Sequence, residues 1–283
     1  QVMPSATGCS GTSANVVVTV NPTPHVTNAP LAQTICSQTP ISVNLTSTVS
    51  GSSFAWTCTP SSPNVTGFSN GSGILISQTL TNSGFAIEGV TYHVTPIVNG
   101  CAGPVSDYVV TVNPKPDVSN NPMTKQICSN TSTSINLTSN VTGTLFTWTC
   151  TPGSANVSGY AANPGPGAAA INQVLINSGV ANESVTYHIT PAANGCNGAT
   201  IDYVVTVYPS PNLSNNPLGK QICNNTSTNI TLTSNVPGTL FTWTCTPSSG
   251  NVTGFANNAV PTTALNQILV NTGFANEGVT YHL

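Results

Sequence analysis

The side chains best suited to chemistry in this sequence are histidines, and three of the four recur in one motif. Each follows a tyrosine in Val-Thr-Tyr-His, whereas His25 stands alone at a linker. In a strand, a histidine at this position lies on the face opposite the tyrosine, beside threonines, which predicts an exposed side chain. A metal site needs converging ligands, and we expect no cysteine or acid on that face at short spacing. The histidines are His93, His188 and His282.

Acidic residues recur at two further positions of the same pattern. Paired carboxylates can act as a general acid and base, or they can bind calcium. Calcium takes about six to eight oxygen ligands, and the sequence contains no aspartate-rich loop. We therefore interpret these acids as turn and strand-edge residues. The glutamates are Glu88, Glu183 and Glu277, and the aspartates are Asp107 and Asp202.

Composition and motifs exclude several classes of function. Three lysines, no arginine and six acidic residues among 283 residues do not form the basic surface that binds nucleic acid or an anionic membrane. The sequence has neither the Gly-x-Ser-x-Gly of hydrolases nor a phosphate-binding glycine loop. No run approaches the roughly 18 apolar residues of a membrane span. We therefore expect a non-enzymatic chain with no catalytic residue, metal, cofactor, nucleic-acid partner or membrane-spanning segment.

Nine cysteines fall into three classes that recur along the chain. Cysteines at fixed positions are typical of an oxidising compartment. With three per unit, one class is unpaired or pairs outside its own unit. The strand cysteines, after an isoleucine, are Cys36, Cys128 and Cys223; the tryptophan-side cysteines, after Trp-Thr, are Cys58, Cys150 and Cys245; the hairpin cysteines, after a glycine, are Cys9, Cys101 and Cys196.

The tryptophan-side cysteines belong to the strand that organises each unit. Phe54-Ala-Trp56-Thr-Cys58-Thr-Pro60 recurs 92 residues later and again after a further 95. Phe, Trp and Cys alternate, so they share one strand face while the threonines share the other. This pattern predicts a half-buried strand with an inward tryptophan. The predicted core residues are Trp56, Trp148, Trp243, Tyr92, Tyr187, Tyr281, Cys58, Cys150 and Cys245.

The copies of this strand define a tandem array whose unit, about 92–95 residues, has the size of a small β-sandwich. Each copy ends in Pro-x-Pro, which holds the chain extended and removes ladder donors, and this predicts a short, stiff linker. We expect the chain to start and stop inside a repeat. The predicted domains are 1–24, the end of one repeat; 25–116 and 117–211, two full repeats; and 212–283, the first part of another.

Within a unit, alternating apolar residues predict about seven antiparallel strands and no helix. Asn99-Gly100, repeated at Asn194-Gly195, is a strong hairpin signal before the last strand. Seven short strands with an inward tryptophan on the third predict an all-β, immunoglobulin-like sandwich. In the first full copy, the strands are expected near 33–36, 41–45, 54–59, 65–68, 74–80, 90–94 and 105–112.

This layout bears on the disulfide pairing. Cys36 precedes the second strand and Cys58 ends the third, so both lie at one pole of the sandwich. Cys101 lies in the hairpin at the other pole. The layout by itself therefore favours a bond between Cys36 and Cys58.

The succession of motifs resembles a known family. Gln-Ile-Cys-Ser, Phe-Thr-Trp-Thr-Cys-Thr-Pro, Val-Thr-Tyr-His-Ile-Thr-Pro, Asn-Gly-Cys and Val-Val-Thr-Val-x-Pro-x-Pro together resemble the PKD-like repeat of Bacteroidetes cell-surface proteins, especially the giant gliding-motility adhesins of flavobacteria. The resemblance covers essentially the whole chain. It implies disulfides Cys36–Cys101 and Cys128–Cys196, with the partners of Cys9 and Cys223 outside this segment. The cysteine after the tryptophan departs from the family pattern, and we expect a buried thiol there.

The resemblance also implies a very large protein, exported by type IX secretion and displayed on the outer membrane. Its repeats would form a disulfide-stabilised stalk that grips the substratum. Its partners would be the secretion and motility machinery and an unidentified substratum or polysaccharide ligand. The alternative is an accessory carbohydrate- or protein-binding module of a secreted multidomain enzyme. Dozens of further repeats in the full gene would indicate a stalk, and one catalytic domain beside a few repeats would indicate an accessory module.

Overall fold

The computed structural model describes residues 1–283, the side chain of Pro166 excepted. The chain divides into two compact units. Across the described residues every regular element is a β-strand, and there is no helix of the length and apolarity that crossing a membrane requires. Unit 1 comprises Gln1–Asp117, Ser139–Thr144 and Pro191–Ala199, and unit 2 comprises Val118–Thr138, Leu145–Thr190 and Thr200–Leu283.

The first 24 residues contain one short hairpin. Its turn, Thr7-Gly8, has positive φ angles of 54° and 85°. Val16–Val20 repeats the sequence of the last strand of the next copy, but here it joins none of the described strands and its valines are exposed. The hairpin strands are β1 (Ser5–Ala6) and β2 (Cys9–Ser10).

The first full repeat is a sandwich of two sheets. Its strands are β3 (Ala32–Cys36), β4 (Thr39–Asn44), β5 (Ser53–Pro60), β6 (Val65–Thr66), β7 (Gly71–Gly73), β8 (Leu75–Asn82), β9 (Glu88–Val98), β10 (Cys101–Ala102) and β11 (Ser106–Asn113). The larger sheet has the order β3-β11-β9-β5-β7, with β10 paired to β9, and the smaller sheet has the order β4-β8-β6. Only β3, beside β11, pairs in parallel among these strands. This is an immunoglobulin-like arrangement, and the fold-class prediction is confirmed.

The second and third repeats follow the same plan. The second has a larger sheet of order β12-β22-β20-β15-β17, with β21 paired to β20. Its strands are β12 (Thr124–Cys128), β13 (Thr131–Ser132), β14 (Ile135–Asn136), β15 (Leu145–Pro152), β16 (Val157–Ser158), β17 (Asn163–Ala168), β18 (Ala170–Ile171), β19 (Val174–Asn177), β20 (Glu183–Ala193), β21 (Cys196–Asn197) and β22 (Ile201–Tyr208). The third has β23 (Thr226–Ser227), β24 (Ile230–Thr231), β25 (Phe241–Pro247), β26 (Val252–Thr253), β27 (Asn258–Thr262), β28 (Ala264–Leu265), β29 (Ile268–Asn271) and β30 (Val279–His282).

The core lies between the sheets because both present alternate apolar residues inward. Along β9, every second residue from Val90 to Val98 is buried, and Phe54 and Trp56 are buried on β5. The second repeat has an equivalent core. In the third, the buried cluster comprises Leu232, Trp243 and Leu265, with Tyr281 partly buried against it. The remaining predicted core residues Tyr92, Tyr187 and Trp148 are buried, and the tryptophan-side cysteines are half-buried.

A hydrogen-bond network joins the two sheets around the tryptophan of each repeat. In the first, the Ser69 carbonyl accepts from Trp56 Nε1 (3.2 Å) and Gln78 Nε2 (2.8 Å). Gln78 Oε1 in turn accepts from the Tyr92 hydroxyl (2.8 Å). Because a buried polar group costs free energy unless it is hydrogen-bonded, this network allows an indole and a phenol to be buried together. The equivalent groups are Ala161, Trp148, Gln173 and Tyr187, and Ala256, Trp243, Gln267 and Tyr281.

The seven expected strands of the first full repeat match observed ones to within a few residues, and the short strands β7 and β10 were not expected. Gly71 on β7 lies against the Trp56 ring, and a Cβ there would be only 2.6 Å from Cζ2. Glycine is therefore needed for this close approach, but a Gly-Ser-Gly strand carries no apolar alternation. The predicted hairpins at Asn99-Gly100 and Asn194-Gly195 are confirmed by positive φ angles at all four residues.

In two of the Pro-x-Pro segments, the last proline is packed against the protein. Pro24 and Pro116 are buried. Their carbonyl oxygens lie so close to Gly103 and Gly198 that a Cβ on either glycine would be 1.8 Å away. The glycine two positions after Cys101 and after Cys196 therefore makes room for the proline segment that borders the repeat.

We expect Trp56→Ala to lower the free energy of unfolding of the first full repeat by about 3–5 kcal/mol, because it removes a large buried side chain and leaves a cavity. Hydrogen exchange of β9 amides reports this repeat by itself. Phe85, which is 57% exposed, provides the control, and Phe85→Ala is expected to change stability by no more than about 0.5 kcal/mol. Equal loss of protection in the two variants would contradict the core position of Trp56.

Candidate functional site

In both full repeats, a histidine lies between an aspartate and a threonine on the outer face of the larger sheet. His93 Nδ1 lies 2.6 Å from Asp107 Oδ1, and His93 Nε2 lies 3.0 Å from Thr59 Oγ1. A carboxylate only accepts, so Nδ1 carries the proton, and in the neutral ring Nε2 accepts from the threonine hydroxyl. The second row is Thr151, His188 and Asp202, with distances of 2.8 and 2.6 Å, and the third repeat repeats the contact between Thr246 and His282 at 3.0 Å.

The expectation that no acid shares the histidine face is therefore wrong. Asp107, the second residue of β11, lies directly opposite His93 on β9, whereas pairing of β11 with β3 begins only at Val109. The register shifts by one residue between the hairpin tip and the body of the strands. The two tyrosines could have indicated this contact, because Tyr92 lies opposite Tyr108. His93 directly follows Tyr92 and Asp107 directly precedes Tyr108, so that pairing also places His93 opposite Asp107.

The row contains the nucleophile, base and orienting acid of a hydrolytic triad in the right order. Acyl transfer also needs preformed oxyanion donors and a concave substrate site. This row lies on the outer face of a sheet, and neither His93 nor His188 lines the two cavities of about 840 and 300 Å³, whose lining residues belong to the third repeat. The row is best explained as a cross-strand ladder that ties β5, β9 and β11 together.

The recurring glutamates cap turns. Hydrogen bonds from Ser61 and Ser62 lower the pKa of Glu88, which is partly exposed at the start of β9. Hydrogen bonds from Ser248, Ser249 and Asn251 likewise lower the pKa of Glu277. Within the described part of the chain, no three histidine, cysteine or acidic side chains come together as potential metal ligands.

Among the described residues, the one disulfide lies in unit 1 and joins cysteines of two different predicted repeats. Cys36 is bonded to Cys196 with an S–S length of 2.02 Å, a Cα separation of 5.6 Å and a sequence separation of 160 residues. Beside it, Asn113 Nδ2 donates to the Asn194 carbonyl at 2.8 Å. The strand cysteine of one repeat therefore meets the hairpin cysteine of the next.

The pairings implied by the family resemblance, Cys36–Cys101 and Cys128–Cys196, are wrong. Cys36 lies opposite Asn113, where β11 ends, whereas Cys101 follows the hairpin turn before β11 begins. The ends of this 8-residue strand are about 23 Å apart, and a disulfide needs Cα atoms within about 7 Å. The alternative partner, Cys58, is free, and its thiol donates to the Ser69 carbonyl at 3.1 Å.

The tryptophan-side cysteines are half-buried thiols beside the indole. Burial raises the pKa of Cys58 and Cys245, and it raises that of Cys150 to about 11. These thiols are therefore protonated at neutral pH, whereas a reactive cysteine is a thiolate at that pH. In this position they act as small apolar groups with one weak donor.

A protein-family model described as a PKD-like domain matches residues 33–116, 125–211 and 220–283. These three segments cover most of the chain, so it belongs to the PKD-like domain family. No curated protein matches the sequence.

Solved structures with several sandwich domains are similar to the chain. A titin fragment of three immunoglobulin domains has 9% identity and a TM-score of 0.37, covering 91% of this chain and 96% of its own. A fragment of mouse cadherin-23 has 12% identity and a TM-score of 0.36, covering 92% and 93%. At these scores the likeness supports no functional argument.

Trypsin distinguishes the observed disulfide from the pairings predicted earlier. Because Lys115 precedes proline, cleavage of the denatured, thiol-blocked chain at its other two lysines yields residues 1–125, 126–220 and 221–283. We expect the first two fragments to remain joined until reduction, since Cys36–Cys196 connects them. Cys36→Ser should release them without reductant. A Cys36–Cys101 or Cys128–Cys196 bond would lie inside one fragment, so separate fragments from the oxidised parent chain would contradict the structure.

Burial of the core tyrosines makes stability depend on alkaline pH. Burial, and next the neighbouring tryptophan-side cysteine, raises the pKa of Tyr92 and Tyr187, and raises that of Tyr281 to about 12. An unfolded tyrosine ionises near pH 10, so the unfolded chain loses these protons first. The stabilisation is complete below about pH 10 and is lost as the pH rises toward the folded pKa.

The stabilisation that the neutral Tyr281 hydroxyl provides is lost between about pH 10 and 12. We expect the unfolding temperature, followed by circular dichroism, to decrease across this range as tyrosinate absorbance appears. Tyr92→Phe should make the alkaline loss smaller for the first full repeat. An unfolding temperature that stays constant from pH 10 to 12 would show that these hydroxyls ionise without cost in the folded protein.

Proposed function

We propose that this chain is a non-enzymatic segment of a very large secreted cell-surface adhesin, whose tandem repeats form a covalently reinforced stalk for surface attachment and gliding motility. The observation that carries the proposal is the disulfide between Cys36 and Cys196, which lie in different family repeats. A bond between repeats builds no binding pocket. It restricts how far the chain can be extended, which is a requirement of a tether.

A bridge across 160 residues removes that length from the path of an applied force. Fully extended, 160 residues would span roughly 550 Å, and none of this length is released while the bond is intact. In the chain-entropy model, closing a loop of this size also stabilises the folded state by about 5 kcal/mol. Bonds of this kind persist in oxidising surroundings, which supports an extracellular position.

The surface composition suits attachment outside the cell. The whole chain has three lysines and no arginine, so proteases that cleave after basic residues find few sites. Threonine, histidine and asparagine supply uncharged hydrogen-bonding groups, and few charges remain for salt to screen. Such a surface can contact hydrated polysaccharide or a solid substratum at varied ionic strength. In this proposal the chain reaches the outer membrane by type IX secretion and is moved by the motility machinery.

We expect Fab fragments raised against the purified chain to label filaments on the surface of the producing cells in electron micrographs. The same Fab fragments should block attachment to glass and stop gliding, whereas Fab fragments from pre-immune serum should do neither. Label confined to a compact secreted enzyme, with movement unaffected, would contradict the stalk and support an accessory module.

A further inference from the structure

We propose that the Cys36–Cys196 bond is one instance of a bridge that recurs along the array, in which the strand cysteine of each repeat bonds to the hairpin cysteine of the repeat that follows. Under this rule, the strand cysteines Cys128 and Cys223 and the hairpin cysteines Cys9 and Cys101 are each half of such a bridge. Their partners are equivalent cysteines in neighbouring repeats of the same array. The inference concerns the covalent structure of the chain and does not depend on the adhesive role.

The strand side of the bridge is reproduced in the second repeat. Cys128 lies opposite Tyr208 at the end of β22, in the same parallel register that places Cys36 opposite Asn113. The residue after each cysteine donates its backbone N–H to that opposite residue, at 2.8 Å from Ser129 and 2.9 Å from Ser37. The Cys128 side chain is exposed and free. It is therefore presented at the position from which Cys36 forms its bond.

The third strand cysteine keeps the local contacts of the second. The Cys223 carbonyl accepts from the Thr226 hydroxyl at 2.6 Å, as the Cys128 carbonyl does from Thr131 at 2.6 Å. Cys223 is likewise exposed and free. The loop that follows each strand cysteine thus has one conformation in both repeats.

The hairpin side is the same in all three copies. Cys196 lies opposite Ala193, Cys101 opposite Val98, and Cys9 opposite Ala6, each directly after a two-residue turn. Both turn residues have positive φ in every copy: 51° and 77° before Cys196, 46° and 79° before Cys101, and 54° and 85° before Cys9. Because the turn sets the direction of the following side chain, the unbonded hairpin cysteines are aimed as Cys196 is.

Distance excludes a bond between the strand cysteine and the hairpin cysteine of the same repeat. A hairpin cysteine precedes the next strand cysteine by 27 positions in all three cases: Cys9 to Cys36, Cys101 to Cys128 and Cys196 to Cys223. Inside one repeat, the strand cysteine and the hairpin cysteine lie near opposite ends of the last long strand, as Cys36 and Cys101 do on β11. The amide contact from Asn113 does not recur, because Tyr208 takes its place in the second repeat. The two cysteine positions are therefore the part of this junction that the repeats share.

Each bridge forms by thiol–disulfide exchange with a disulfide-bearing oxidant. A thiolate of one cysteine attacks the oxidant and forms a mixed disulfide, which the second thiolate then resolves. The two cysteines lose two protons and two electrons, and the oxidant leaves as two thiols. The reaction needs an oxidising compartment, and it can proceed only where consecutive repeats bring the two thiols together.

The test appends to the full chain a segment that contains a hairpin cysteine, with which Cys128 can form a disulfide. Leu283 corresponds to Ile189 in the repeat alignment, so a copy of residues 190–211 is appended directly after Leu283. The addition supplies the last hairpin and strand of the third repeat, including a copy of Cys196. We expect this added cysteine to bond to Cys128, so the tryptic fragment that starts at residue 221 becomes joined to fragment 126–220.

Thiol counting gives an independent readout. The parent chain has seven free cysteines among its nine, and the extended chain should have six although it carries one more cysteine. In the extended chain, Cys128→Ser should release the C-terminal fragment without reductant, whereas Cys223→Ser should leave it joined. The link between fragments 1–125 and 126–220 reports that oxidative folding has taken place.

Three results would overturn the proposal. The first is that the fragments joined by Cys36–Cys196 are linked while the extended C-terminal fragment remains free. The second is that the added cysteine bonds to Cys223 inside its own repeat. The third is a bond that forms only between separate chains, seen as a disulfide-linked dimer before digestion. The same digest of the protein from the cell surface tests the rule without an added segment, because each hairpin-cysteine peptide should be bonded to the strand-cysteine peptide of the preceding repeat.

Discussion

One backbone carbonyl in each repeat links the two sheets of the sandwich, because it accepts hydrogen bonds from side chains of both. In the first full repeat it belongs to Ser69, and it accepts from an indole on one sheet and from Gln78 on the other. Gln78 then orients the Tyr92 hydroxyl, which is otherwise surrounded by apolar side chains. An unmet donor in this place would cost about 1–3 kcal/mol. The large aromatic side chains can be buried because this network satisfies all of their polar atoms.

Side chains also satisfy buried backbone groups in the turns, and asparagine does this in a chain with few charges. Asn82 is buried, and its Nδ2 donates to the carbonyls of Ala86 (2.8 Å) and Val112 (3.0 Å). Its Oδ1 accepts from the Gly84 N–H at 2.9 Å. Asn177 makes the equivalent contacts in the second repeat. Side-chain amides thus serve where ion pairs serve in other proteins, and among the described residues no buried side-chain polar atom lacks a partner.

The sequence predicted most of the strands because their signals are local. The alternation in Val90–Val94, the inward Trp56 and the turn at Asn99-Gly100 each lie within a few residues. The Asp107–His93 contact could not be read in the same way, because a one-residue shift in register between hairpin tip and strand body decides which residues face each other. The Cys36–Cys196 bond posed a different difficulty. A periodic sequence shows which classes of cysteine exist, but the same spacing fits pairing within a repeat and pairing with the next.

A bridge at every step changes which part of each repeat carries tension. Force then passes through the disulfides and enters the backbone only between a hairpin cysteine and the next strand cysteine, a stretch of 27 positions that can release roughly 90 Å. That stretch contains β11 or β22, each of which has a hydrogen-bonded neighbour on both sides. Hydrogen bonds run perpendicular to the strands in an antiparallel pair and are slanted in a parallel pair. A pull along β11 therefore loads the bonds to β9 in shear and the slanted bonds to β3 at the same time. The strand that bears the load is therefore held by two neighbouring strands, and it also anchors Val110 and Val112 in the core of the repeat.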